Sequence, residues 1–288
     1  MYVERERTAI PYDGKRGKKL KIIVFDTETV GCNTQTLLNV GYAIVDINEQ
    51  SGEVRKICCA KDYIVSDLIK NKMLMLNDMF VGAEKYAMYE DNIKWGGTKC
   101  HTIQKIFSIM ANDIAKYNVE AGYAYNCQFD TDKFTKTAIQ YGIINPLGTL
   151  PIYDIWGYAY QYICETPDYI AYCKAHEIFT ETKRFIQTSV EGVTAYLTDN
   201  PHFKEDHTAL SDVQWELKIL SEVIARGCDI TKHIKRGGNI PSGKVFTKRL
   251  TIDGQTIEVK YTKMSRKWDN AEDIIFIDES ISTIGGGG

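Results

Sequence analysis

The chain has 288 residues, of which 44% are hydrophobic and 25% are charged, and its formal net charge is −3. This composition can bury one large core with a small appendage. No apolar run reaches the roughly 18 residues of a membrane span, and the N-terminus lacks the apolar stretch of a secretory signal. The eight cysteines have no regular spacing, as is typical of reduced thiols, so we expect a cytoplasmic protein.

Charge is distributed unevenly along the chain. Residues 1–21 carry seven Lys/Arg against three acids, residues 229–267 carry ten against three, and residues 268–288 carry five acids and no Lys/Arg. Residues 22–228 therefore hold a net charge of −9. This pattern fits an acidic, metal-binding centre that is flanked by basic segments, and the basic segments would contact phosphates. Basic tails that are merely solvated would give the same pattern, and both interpretations stay open.

The first half of the chain is predicted to form strands and then helices. Strands are predicted over residues 21–27, 39–47 and 54–64. A helix is predicted over 66–80, and the apolar spacing over 101–117 indicates a second, amphipathic helix.

The second half continues with alternating strands and helices, which is typical of an α/β protein. The predicted strands lie at 120–125 and 151–154, and the predicted helices lie at 129–141, 155–164, 168–177 and 189–198.

Two carboxylates follow the first apolar run. Ile22 to Phe25 indicates a buried strand, and Asp26 and Glu28 come directly after it in FDTET. Residues i and i+2 of a strand point to the same face, so these two side chains are directed to one place. Two carboxylates held together repel each other unless a cation neutralises them, and hard ions such as Mg²⁺ bind carboxylates and phosphates. A lone DxE is also compatible with a solvated strand end.

Two later segments contribute two more acids and a histidine. Asp130 ends YNCQFD at the start of a predicted helix, and His207 precedes Asp212 by five residues in HTALSD, which leads into an amphipathic helix. These three motifs, in this order, resemble those of the DEDDh 3′–5′ exonucleases. That superfamily includes proofreading subunits of replicative polymerases, RNase T and oligoribonuclease.

The resemblance covers about residues 20–228. It implies an α/β, ribonuclease H-like fold with a mixed five-stranded sheet flanked by helices. The expected domains are a basic N-terminal extension (1–20), an exonuclease domain (21–228) and a C-terminal appendage (229–288). In the appendage, a basic β-hairpin turning at Asp253-Gly254 and a strand in DIIFIDE precede an acidic, Gly-rich tail.

The resemblance also implies a catalytic site with two divalent ions, Mg²⁺ or Mn²⁺. Asp26 would bridge the two ions, Glu28 and Asp212 would hold the ion that carries the attacking water, and Asp130 would support the second ion. His207 would remove the proton from that water, because histidine titrates near neutral pH.

Substrate contacts are implied at the first two motifs. The backbone of Thr27 and Thr29 would lie near the terminal nucleotide, and Asn126 or Phe129 would lie around the second motif. The implied function is a metal-dependent 3′–5′ exonuclease on single-stranded or frayed 3′ ends, with DNA favoured over RNA. Any proofreading would act in trans with a polymerase or another replication protein.

Two alternatives remain open. One is an RNA-trimming exoribonuclease, since motif spacing does not reveal how the pocket treats a 2′-hydroxyl. The other is a replication-accessory binding protein in which the C-terminal appendage docks a partner. A zinc site at Cys164, Cys173 and His176 is not predicted, because no CxxC pair supports it and the two cysteines are expected in the core.

Overall fold

The structure is a computed structural model that describes residues 19–30, 36–78, 81–252, 255–263, 274–276 and 282–283. Its larger sheet has six strands, three running as an antiparallel meander and three pairing in parallel with a neighbour. The strands of this sheet are β1 (Lys19–Val30), β2 (Thr36–Asn48), β3 (Val54–Val65), β4 (Lys99–His101), β5 (Ala121–Ala124) and β6 (Ile152–Asp154). They lie in the order β4-β3-β2-β1-β5-β6.

Helices cover both faces of this sheet. A π-helical turn, Tyr160–Cys164, extends the sixth helix. The helices are α1 (Ser66–Ile69), α2 (Lys72–Asn77), α3 (Gly82–Lys94), α4 (Ile103–Tyr117), α5 (Cys127–Tyr141), α6 (Ile155–Ala159), α7 (Pro167–Ala175), α8 (Val190–Thr198) and α9 (Ala209–Ala225). None of the helices in the described ranges has the length and apolarity needed to cross a bilayer.

Strand β1 lies at the centre of two hydrophobic cores. Ile22 and Val24 pack into the core beneath α9, whereas Ile23 and Phe25 pack into the core formed with α4 and α5. All four side chains are fully buried, which explains why the sequence shows a continuous apolar run instead of an alternating pattern. The acids that follow Phe25 therefore lie in the second half of β1, just after the stretch that is buried on both faces.

The α/β class and the mixed sheet flanked by helices are confirmed, but the predicted number of five strands is wrong. The sixth strand, β4, has three residues and is defined by its parallel pairing with β3, a long-range contact that was not predicted. The predicted helix over 66–80 is also wrong in its extent, because two short helices, α1 and α2, lie there. Helix α3 was not predicted.

The segment that follows α9 packs on the core. Ile230 is buried, and its carbonyl accepts hydrogen bonds from the hydroxyls of Tyr123 (3.0 Å) and Tyr158 (2.8 Å). Further along, the amide of Ile186 donates to the carbonyl of Ile240 at 2.8 Å. The boundary that we predicted after residue 228 therefore falls just before a segment that is bound to the larger sheet's domain.

A second sheet forms from the C-terminal residues. Strand β7 (Val245–Ile252) pairs antiparallel with β8 (Gln255–Lys263) in the predicted hairpin, while the predicted turn at Asp253-Gly254 lies outside the described residues. Two short strands, β9 (Ile274–Phe276) and β10 (Ser282–Thr283), also pair with β8. The N-terminal extension up to residue 18 and the Gly-rich tail from 284 likewise lie outside the described residues.

The N-terminus of α9 is fixed against β2. Gly41, which pairs with Asp26 across the sheet, allows this approach, because a Cβ there would lie 2.3 Å from the backbone of Ala209. The buried Asn39 accepts a hydrogen bond from the Ala209 amide at 2.9 Å and donates to Asp62 at 2.7 Å. Together these contacts determine where α9 begins relative to the end of β1.

We expect Gly41→Ala to push the start of α9 away from β2. The change should reduce the free energy of unfolding by about 1–3 kcal/mol, because a methyl group is forced into a packed backbone contact. Denaturant titration measures this loss. Gly97→Ala is the matched control, since its Cβ would meet only the Asn92 carbonyl at an ordinary 3.6 Å. Equal stability of the two variants would contradict the tight contact between β2 and α9.

A candidate metal centre at the end of the central strand

The end of β1 directs polar side chains to both faces of the sheet. Asp26 and Glu28 follow Ile22 and Val24 on the face covered by α9, as expected from the two-residue period of a strand. Thr27 faces the other way, and its hydroxyl donates a 2.6 Å hydrogen bond to Oδ1 of Asp130 on α5. Acids carried by α9 and α5 thus meet at one strand end.

Three of the predicted site residues form a compact cluster. One ligand atom from each of Glu28, His207 and Asp212 lies within 4.8 Å of the others, close enough for one cation to contact all three. Asp212 is buried in the first turn of α9, whereas His207 is exposed just before the helix. Asp26 and Asp130 lie outside this cluster of three but close enough to influence each other's charge.

His207 is held in an unusual backbone conformation. Its φ of 53° lies in the left-handed region, which histidine adopts more readily than most residues but still at some energetic expense. The neighbouring Asp206 accepts hydrogen bonds from the amide (3.1 Å) and the hydroxyl (3.0 Å) of Thr208. This turn directs the imidazole toward Glu28 and Asp212.

Burial of the acids raises their pKa values strongly. Burial, followed by the charge of Asp130, raises the pKa of Asp26 well above its ordinary value. Burial raises the pKa of Asp130 to about 7, against the lowering effect of the Thr27 hydrogen bond. Burial and the nearby Glu205 raise the pKa of Asp212 to about 8. The arrangement is therefore unfavourable for carboxylates that have no cation beside them.

Three buried carboxylate oxygens in this region have no hydrogen-bond partner. They are Oδ2 of Asp26, Oδ1 of Asp212 and Oε2 of Glu216. Buried polar atoms without a partner are uncommon in folded proteins and require an explanation. Hard divalent cations bind oxygen ligands of this type, so the donor set fits Mg²⁺ or Mn²⁺.

Glu216 is a site residue that we did not predict. It lies one turn after Asp212 on α9 and is almost fully buried, and its Oε1 accepts a hydrogen bond from the Tyr125 amide at 3.1 Å. Its charge raises the pKa of Asp26. A signal was present in the sequence, because Glu216 interrupts the apolar stripe of α9 four residues after a motif acid.

Lys85 is a second residue that we did not predict. Its ammonium lies 3.0 Å from Oε2 of Glu28, and both side chains are mostly buried. Burial raises the pKa of Glu28, and Lys85 acts against that shift. Lys85 belongs to none of the three motifs. It lies on α3, a helix that was not predicted either.

The predicted substrate-binding residues surround the acids. The Thr27 hydroxyl is occupied by Asp130, so only its backbone is left for a substrate, and Thr29 is partly buried nearby. Asn126 begins α5 with a left-handed φ of 62°. Phe129 is 37% exposed, and the Lys133 ammonium lies 4.6 Å from the centre of its ring.

The residues considered for zinc lie in and beside the hydrophobic core. Cys164 and Cys173 are both fully buried in the core beneath α9, as predicted. His176 instead packs its ring 4.5 Å from that of Tyr172.

Comparison with known proteins gave no match, either to a protein-family model or to a curated protein sequence. Function must therefore be argued from the chemistry of the site itself.

We expect Glu216→Gln to stabilise the metal-free protein by about 1–3 kcal/mol at pH 8, because it removes a buried charge and keeps an acceptor for the Tyr125 amide. The free energy of unfolding in chelator measures this gain. Glu216→Ala is the control. It leaves the Tyr125 amide without a partner and should destabilise the protein. A Gln variant less stable than the parent would contradict the proposed charge repulsion.

The stability of the metal-free protein should fall as the pH rises from about 6 to 8.5. The pKa values of Asp130 and Asp212 are about 7 and about 8 in the folded chain, against an ordinary 3.8. The folded state therefore binds more protons than the unfolded state across that window, and the stability from these groups is lost as they ionise.

Mg²⁺ should raise the melting temperature more at pH 8.5 than at pH 6, because the ion competes with protons for the carboxylates. Thermal denaturation with Mg²⁺ or with chelator measures the difference. Asp212→Asn should reduce the pH dependence. If Mg²⁺ raised the melting temperature equally at both pH values, this would argue against binding at these acids.

Proposed function

We propose that the protein is a metal-dependent 3′–5′ exonuclease that hydrolyses phosphodiester bonds at single-stranded or frayed 3′ ends. The observation that carries this proposal is the meeting of buried acids from β1, α5 and α9, with unpartnered oxygens, beside an exposed histidine. These acids are the same residues that resemble the DEDDh motifs. The antiparallel β1–β3 meander followed by βα units is also compatible with the ribonuclease H-like fold that the resemblance implies.

The acids would hold two divalent ions, which supply charge stabilisation for the attacking and leaving oxygens of an in-line displacement. Asp26, Glu28 and Asp212 offer their oxygens from β1 and α9, and Asp130 is oriented by Thr27 for the second position. Lys85 keeps Glu28 in place from the side of α3. Burial of these groups excludes water and strengthens their interaction with charge.

His207 would accept the proton of the attacking water. Its ring belongs to the same cluster as Glu28 and Asp212, and its exposure leaves a path for the proton to solvent. Asp206 accepts a hydrogen bond from the Thr208 amide and so fixes the turn that carries His207. General-base catalysis of this kind contributes typically 10²–10⁴-fold to a rate.

Substrate orientation would come from the edge of the site. Phe129 exposes its ring, on which a base at the 3′ end can stack, and stacking of this kind tolerates any base. DNA remains our favoured substrate over RNA. An exoribonuclease and a replication-accessory binding protein remain the alternatives, and the same experiment distinguishes them.

We expect the wild-type protein to shorten 5′-labelled DNA oligomers from the 3′ end with Mg²⁺ or Mn²⁺ and not with chelator. Asp26→Asn and Asp212→Asn should abolish this activity while the fold is kept, because each removes a cation ligand and little volume. Asp132→Asn is the matched control, since this acid is exposed on α5 and accepts a hydrogen bond from the Gln128 side chain. Circular dichroism checks the fold of each variant.

His207→Ala should lower turnover by about 10²–10⁴-fold and change strand affinity much less, because it removes a proton acceptor. A matched set of RNA oligomers tests the RNA alternative. Strand binding without cleavage under any metal condition would favour the accessory-protein alternative and refute the exonuclease.

A further inference from the structure

Arg236 lies over an aromatic ring. Its guanidinium carbon lies 3.7 Å from the centre of the Trp156 ring. The indole is itself fixed, because its N–H donates to the Thr188 hydroxyl at 3.1 Å and its other neighbour, Tyr125, stacks at 5.8 Å. Such stacking restricts the orientation of the guanidinium without using its N–H donors.

The segment that carries Arg236 lies directly on α6 and the π-helical turn. A Cβ on Gly157 would lie 2.2 Å from the Ile234 carbonyl oxygen, and a Cβ on Gly237 would lie 2.0 Å from the Tyr160 ring. Glycine is therefore needed at both positions for this close approach. The backbone on either side of Arg236 is therefore held in place by these two close contacts.

The Arg236 guanidinium makes no hydrogen bond or close ion pair to a residue in the described part of the chain, although its charge acts against the burial that raises the pKa of Asp154. It lines an open cavity of about 170 Å³ together with Trp156, Thr188, Gly237, Gly238 and Asn239. The glycine pair leaves backbone uncovered there, and Asn239 adds an exposed amide side chain. The cavity therefore presents a fixed cation and further polar groups to solvent, which suits a phosphate group.

One carboxylate joins this cavity to the candidate metal centre. Oδ1 of Asp154 accepts hydrogen bonds from the amides of Trp156 (3.0 Å) and Asn126 (2.9 Å). Asn126 begins α5, which carries Phe129 and Asp130. Asp154 thus ties Trp156, which lines the cavity, to the first residue of the helix that carries Asp130.

We propose that the Arg236 cavity binds a backbone phosphate of the single strand whose 3′ end lies at the acidic centre. This inference rests on the proposed function and adds to it a second contact on the same strand. Arginine recognises phosphate through two parallel N–H groups, and the orientation of Arg236 by Trp156 reduces the entropy lost on binding. The contact would act only on strands long enough to reach from the acids to Arg236.

The test compares Arg236→Ala, Arg236→Lys and Lys235→Ala in the full chain. Lys235 is the matched control, because it is the adjacent exposed cation and does not line the cavity. Dissociation constants for labelled single strands of increasing length, from a dinucleotide upward, are measured in chelator so that no strand is cut. Cleavage of the dinucleotide with Mg²⁺ is measured separately.

We expect Arg236→Ala to weaken binding of long strands by about 10–100-fold, as for the loss of a charged hydrogen bond. Its slope of log affinity against log salt should be shallower by about 0.7, the value for one single-strand phosphate contact. Dinucleotide cleavage should be unchanged. Arg236→Lys should keep the salt slope but lose part of the affinity.

An equal loss of affinity in Lys235→Ala and Arg236→Ala would overturn the site, because it would indicate diffuse attraction by basic residues. A loss of affinity that does not depend on strand length would also overturn it. A wild-type protein that binds strands through Arg236 but cuts none would refute the proposed exonuclease and leave this site standing. The two proposals can therefore fail separately.

Discussion

The burial of several carboxylates at the end of one strand is the constraint on which the candidate site depends. Asp130, Asp212 and Glu216 are each nearly inaccessible to solvent, and Asp26 has a buried oxygen without a partner. Like charges in a poorly solvated region repel one another and destabilise the folded state unless protons or cations neutralise them. Because bound divalent cations would relieve this repulsion, the same arrangement of carboxylates favours their binding. A site of this kind is unfavourable by itself and is kept because the surrounding fold is stable.

Apart from the ion pair between Lys85 and Glu28, the surrounding fold holds the acids through packing and hydrogen bonds. Two hydrophobic cores enclose β1 on both faces, and the approach at Gly41 together with the hydrogen bond from Ala209 to Asn39 fixes α9 against β2. On the opposite face, Thr27 orients Asp130. The acids therefore have little freedom to move apart and lower their repulsion. Such preorganisation is what hydrolysis of a phosphodiester requires, because catalysis depends on charges already in position.

The sequence allowed prediction of local strands and helices, and prediction failed where long-range contacts decide the structure. The apolar run before Asp26 predicted the central strand, and the amphipathic pattern after His207 predicted α9. The cluster of Glu28 with His207 and Asp212 agrees with the motif spacing. Lys85 could not be predicted, because only tertiary packing brings α3 to the site. Strand β4 is likewise defined by its pairing with β3. Glu216 carried a usable signal, as a charge inside an apolar stripe, but it belongs to none of the three motifs.

The central claim is that these acids bind two divalent ions. Anomalous diffraction from crystals soaked in Mn²⁺ at pH 8 tests it most directly, because the signal locates the metal without reference to activity. The account predicts two peaks among Asp26, Glu28, Asp130 and Asp212, about 3.5–4 Å apart as in other two-metal sites. Crystals that bind Mn²⁺ elsewhere while these carboxylates stay without metal would contradict it.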